Sequence, residues 1–94
     1  MKKTFKMAMV EGSGEIEIES SFKHFGYTFV IHRAFKDDYW KVSEYETGSS
    51  VGISENKTAD AKRFAIEKLS RIGQKRFKSI VDGFIKEHGI INES

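Results

Sequence analysis

Residues 57–73 read KTADAKRFAIEKLSRIG, and their spacing decides the fold. Ala61, Phe64, Ala65, Leu69 and Ile72 recur at three- and four-residue steps, which puts them on one face of a helix. Thr58 is a good N-cap and Asp60 falls in the first turn, where it complements the helix dipole, so a helix is expected over about Ala59–Ile72. The stretch also carries five basic side chains against two acidic ones. That charge either holds a partner such as nucleic acid or is the wet face of a structural helix.

The apolar period resumes after Gly73 at Phe77, Ile80, Val81, Phe84 and Ile85, giving two helices or one long bent one, with no proline in the chain to break it. Gly89 followed by Ile90 reads as a left-handed cap with its apolar residue behind it. Upstream the period is two. Thr4–Val10 and Glu15–Phe22 alternate as strands, and Glu11-Gly-Ser-Gly14 between them supplies turn residues for a hairpin. A turn is expected over Lys23–Gly26. Tyr27–Phe35 is apolar on both parities, as a central strand covered on both faces would be. Lys36–Asp38 forms the next turn, Tyr39–Thr47 alternates again, and Gly48–Ser50 leads to a short strand at Val51–Ile53.

An antiparallel sheet must bury its apolar face, and the helical stripe is the only partner this pattern offers. The expectation is a single α+β domain over residues 1–94. A four- or five-stranded antiparallel meander (4–53) is followed by one or two helices (59–88) packed on it as a second layer. Eight phenylalanines imply a core of aromatic bulk. The chain has no cysteine, hence no disulfide framework or thiolate metal site, and a cytoplasmic address fits. The basic start, MKKTFKMAMVEGSG, has an apolar run too short for a secretory signal, and no stretch is long enough to span a membrane.

The net charge of +2 is unevenly spread. Residues 11–56 hold nine acidic and four basic side chains, whereas residues 57–78 hold eight basic and two acidic ones. Three groups are therefore candidate binding surfaces. The first is a basic helix set, Lys62, Arg63, Lys68, Arg71, Lys75, Arg76 and Lys78. Its members Lys68, Arg71, Lys75 and Lys78 share one stripe, with Lys62 leading into it, if the helix runs through Gly73. The plainer reading is the solvated face of an amphipathic helix, and the small net charge favours it. The second is an acidic strand set, Glu15, Glu17 and Glu19, which either imitates phosphate spacing or discourages edge aggregation. The third is aromatic: Tyr39, Trp40 and Tyr45, with Tyr27 near them, either stack on a partner or sit half-buried in their strands.

The signs of catalysis are missing. His24, His32 and His88 have no metal-ligand spacing, so no metal or other cofactor is expected, and His32 reads as a packed histidine. The serines lack a nucleophile elbow, Gly12-Ser-Gly14 is too short for a phosphate loop, and paired carboxylates would need a cleft.

Phe29-Val-Ile-His-Arg33, Tyr39-Trp-Lys-Val-Ser-Glu-Tyr-Glu-Thr-Gly48 and Lys57-Thr-Ala-Asp-Ala-Lys62 with the helix behind it resemble small accessory proteins of bacteriophages and mobile elements in low-GC Gram-positive bacteria. That group includes anti-CRISPR inhibitors. The resemblance implies provenance, a phage-encoded accessory protein, and carries over no active-site residue. The expected function is non-enzymatic binding in the host cytoplasm, in which the chain occupies the surface of a host protein or protein–nucleic-acid complex, such as a defence or nucleic-acid-processing enzyme, with the opposed acidic and basic faces steering association. Trp40-Lys-Val42 through Lys57-Thr58 is also partly similar to the arm-type DNA-binding domain of tyrosine integrases, from which Asp37, Asp38, Glu44 and Glu46 depart. Ala61-Lys62 is similar to a helix start of double-stranded RNA-binding domains, although the first helix of those domains is missing here. Direct DNA or RNA binding through the basic helix is therefore the alternative expectation. The sequence leaves the oligomeric state open.

Overall fold

A computed structural model describes residues 3–6, 16–33 and 38–92. The expected turn at residues 11–14, most of the first strand, and Glu15 lie outside them, as do residues 34–37. Among the described residues six strands precede two helices: β1 (Thr4–Phe5), β2 (Ile16–Glu17), β3 (Ser20–His24), β4 (Tyr27–Arg33), β5 (Trp40–Glu44), β6 (Ser50–Glu55), α1 (Thr58–Ile72) and α2 (Gln74–His88). β3 to β6 form a four-stranded antiparallel sheet in chain order, and β1 pairs antiparallel with β2 beside it. The architecture is the expected α+β meander with its helices after it.

Local chemistry sets the strand limits. Lys23 and His24 were expected in a turn but pair with Thr28 and Tyr27, so the β3–β4 connection tightens to Phe25 and Gly26. Both have positive φ, 55° and 82°, the primed geometry whose twist matches that of the flanking strands. The expected strand Tyr39–Thr47 stops at Glu44, because the Glu44 carboxylate folds onto the turn that follows. Oε2 accepts the Glu46 N–H at 2.8 Å, and Oε1 accepts the Thr47 N–H at 3.0 Å and the Thr47 hydroxyl at 2.9 Å. Glu44 is only 1% exposed.

The helix layer packs through Ala61, Ala65 and Leu69 of α1 and Phe77 and Val81 of α2, against Phe22, Phe29, Ile31 and Val42 of the sheet. The small side chains of Ala61 and Ala65 let α1 approach the strands closely, and Phe77 fills the remaining space with its ring centre 5.6 Å from that of Phe29. Thr58 does not cap α1. Lys57 takes that place in extended conformation with no side-chain cap bond, and Thr58 is already helical. Gly73 divides the helices. At φ 88° and ψ 149° it leaves the helical region, while its N–H bonds to Leu69 O and its carbonyl accepts from Phe77 N. Gly89 has the positive φ expected of it, 76°, but Ile90 behind it stays 47% exposed rather than tucking in.

The helices are not the sheet's only cover. Val30, His32 and Ser43 point to the opposite face, where buried Phe5 of β1 sets its ring 4.9 Å from His32. This accounts for the two-sided apolar character of β4. The edge of this second layer is held by Asn92, whose side chain accepts from Lys6 N at 2.8 Å and donates to Lys6 O at 2.7 Å and Tyr45 O at 2.9 Å. The primary amide thus serves Lys6 as a neighbouring strand would.

Candidate binding surfaces

The register of β4 on β5 pairs Arg33 with Trp40 at one end of the sheet. The guanidinium lies over the indole, 4.7 Å from the ring centre, and reaches Asp38 at 3.5 Å. The chain entering β3 passes the same place, because the Glu19 N–H bonds to Ile31 O at 2.8 Å. The result is an open depression of about 460 Å³ lined by Ile16, Glu17, Glu19, Arg33 and Trp40. It joins two of the three candidate groups, the acidic strand set and the aromatic set. Glu17 and Glu19 are exposed at its rim, and Tyr39 beside Trp40 is 47% exposed. Two carboxylates suit a cationic side chain by charge pairing. Arg33 already covers the Trp40 ring, so an incoming cation would meet the carboxylates first.

The aromatic set is otherwise split. Tyr45 lies in the turn beyond the far end of β5, its N–H bonded to Thr28 O at 2.8 Å, a whole strand away from Trp40. Tyr27 faces the helices, edge-on to Phe77 at 5.3 Å.

The single basic stripe expected for a continuous helix does not form. The buried line Ala61–Ala65–Leu69 runs between its members. Lys62 falls on the β3 side with its ammonium 5.7 Å from the centre of the Phe22 ring, whereas Lys68 falls on the β6 side against Gly52. Arg63 points away from both, pairing with Asp60 at 3.4 Å and covering Phe64 at 4.9 Å. Lys75, Arg76 and Lys78 lie beyond the break at Gly73, all exposed. Lys78 bonds Asp82 at 2.9 Å, which holds its ammonium above the ordinary lysine range. Lys68 and Arg71 share a concavity, an open groove of about 670 Å³ between β6 and α1, and Glu55 and Glu67 line it with them.

The histidines do not converge. His32 is fully buried, with Nδ1 donating to Arg33 O and Nε2 accepting from the Ser43 hydroxyl, each at 2.9 Å. Burial holds its imidazole below the ordinary histidine range. The His24 ring lies tilted against that of Phe25 with centres 4.1 Å apart, and among the described residues its buried Nε2 has no hydrogen-bond partner. Exposed His88 ends α2, its Nε2 3.7 Å from the Glu87 carboxylate. Among the described residues no three His, Cys, Asp or Glu side chains are grouped to hold a metal ion, and no helix is long and apolar enough to cross a membrane. No family model matches the chain, and no curated protein or solved structure matches it.

Proposed function

We propose that this chain is a non-enzymatic binding protein of phage or mobile-element origin that acts by covering the surface of a host protein, in the manner of an anti-CRISPR inhibitor. The origin rests on the resemblance of its central strands and helix start to phage accessory proteins. The binding role rests on one observation, the meeting of Glu17, Glu19 and Trp40 in a single open depression. Such a surface takes a lysine- or arginine-bearing segment of a partner, and nucleic-acid-processing enzymes present such segments where their own substrate docks. Opposed charges then steer the encounter and fix its orientation.

Direct nucleic-acid binding through the helices is the second reading. Exposed Lys75 and Arg76 support it, since neither holds an ion pair among the described residues. Against it, the cations are divided over three directions, so a phosphate backbone would meet few of them at once. Affinity of that kind falls steeply with salt in proportion to the phosphates neutralised.

Quantitative affinity capture from a Gram-positive host lysate tests the first reading, comparing the native chain with Glu17→Lys/Glu19→Lys. The expected result is a host protein enriched by the native chain and reduced at least about tenfold by the double reversal. The melting temperature of Glu17→Lys alone should stay unchanged, because that side chain is exposed. Equal capture by both proteins would remove the depression from the account.

A further inference from the structure

The apolar period of α2 runs through Phe77, Ile80, Val81 and Phe84, yet only Phe77 and Val81 are buried by it, and Ile80 stays 53% exposed. Ile80 lies to one side of that buried pair, where α1 ends and β6 begins. The gap there is an open cleft of about 290 Å³, walled by Val51 of β6, Leu69 and Ile72 of α1, and Phe77, Ile80 and Phe84 of α2. Its shape is set before anything enters it. Gly73 turns α2 out of the line of α1, and Glu44 at the floor is engaged in the three hydrogen bonds that fix the turn leading into β6.

Two cations stand at the mouth. Lys68 lines the cleft with its ammonium against Gly52 at the strand edge, and exposed Arg76 sits one turn before Ile80 on the same face of α2. Neither holds an ion pair among the described residues. Glu87 bounds the far end, one turn beyond Phe84, with its carboxylate beside His88.

We propose that this cleft is a docking site for an acidic segment of a partner protein, which seats one large apolar side chain between the helices while the carboxylates next to it pair with Lys68 and Arg76. Size argues for a side chain. Small-molecule sites span about 300–1,000 Å³, so the cleft falls at the bottom of their range, whereas one aromatic ring fits it, and such anchors dominate protein interfaces. Charge argues for the flanks. A basic segment would set its cations against Lys68 and Arg76, and a phosphate backbone would satisfy them but leave Ile80 and Phe84 uncovered. Preformed walls also leave little to be ordered on binding. The cleft and the Glu17–Trp40 depression lie at opposite ends of β5 and share no lining residue, so this test does not depend on the proposed function.

Amide NMR titrations with three blocked heptapeptides test the proposal. The first carries a central phenylalanine flanked by glutamates, the second replaces the phenylalanine with serine, and the third keeps it between lysines. Affinities are read at the amides of Val51, Ile72 and Ile80, away from Trp40, so that lysines captured by the depression do not count. The first peptide should shift these amides saturably and bind at least about tenfold tighter than either of the others. Lys68→Glu and Ile80→Ser should each weaken it at least about tenfold. Both side chains are exposed, so unchanged spectra away from the cleft separate lost docking from lost fold. No shift of the three amides up to millimolar peptide would overturn the proposal. So would equal affinity for the phenylalanine and serine peptides, for the glutamate and lysine peptides, or of the native chain and the two variants.

Discussion

Replacing Glu44 by alanine removes the acceptor of three hydrogen bonds and leaves two backbone N–H groups and the Thr47 hydroxyl without it in a mostly buried turn. Glu44→Ala should therefore lower stability by about 3 kcal/mol, read as a shift in urea midpoint, whereas reversing an exposed carboxylate changes it by less than about 0.5 kcal/mol. Alternation along β5 puts Glu44 on the inner face with Trp40 and Val42, so its position was legible in the sequence. Its charge argued for the surface instead, and charge is the weaker guide where the backbone of the next turn can satisfy a carboxylate. His32 carries a pH prediction. Its folded pKa lies below the unfolded value of about 6.5, so as pH falls below that value the unfolded chain takes up the proton first. The stability His32 contributes is complete above pH 6.5 and is lost as pH falls toward its folded pKa. Urea midpoints from pH 7.5 to 5.5 should fall, and His32→Gln should flatten that dependence. Native and His32→Gln midpoints that change equally would contradict the role.

The helix pair is the element where glycine conformation matters most. Gly73 has φ +88° with open space where a Cβ would stand, so Gly73→Ala meets backbone strain and no clash, and should cost about 1–3 kcal/mol. Gly83 lies inside α2 with equally open space, so Gly83→Ala should stabilise by about 0.5–1 kcal/mol. Thermal melts of the two variants should move in opposite directions, and a fall in both would contradict the assignment of helical backbone at Gly83. The apolar period on either side of Gly73 is legible because burial imposes it. The break is not, because a glycine within a helical pattern fits a hinge and a continuous helix equally. Lys62 and Lys68 follow the same logic. Their numbering suggests one stripe, but the buried line between them sends one toward β3 and the other toward β6.

At the scale of the whole molecule, the layers follow from which faces the alternation and the helical period leave apolar. The contacts that close the second face do not, since Asn92 meets Lys6 across nearly the full length of the chain and nothing local marks it. The candidate site has the same character. Glu17 and Glu19 are visible as an acidic strand and Trp40 as an aromatic one, but only the register of β4 on β5 and the passage of residues 16–19 bring them together. Trp40 is the only tryptophan in the chain, so its fluorescence reports directly on that depression. The most direct test of the binding account titrates this signal at physiological salt with an oligolysine peptide, an oligoglutamate peptide and a DNA duplex of equal length. The account predicts a saturable change with oligolysine alone, weakened at least about tenfold by Glu17→Lys/Glu19→Lys. No response to oligolysine, with saturable binding of the duplex, would contradict it and assign the protein's contacts to its helices.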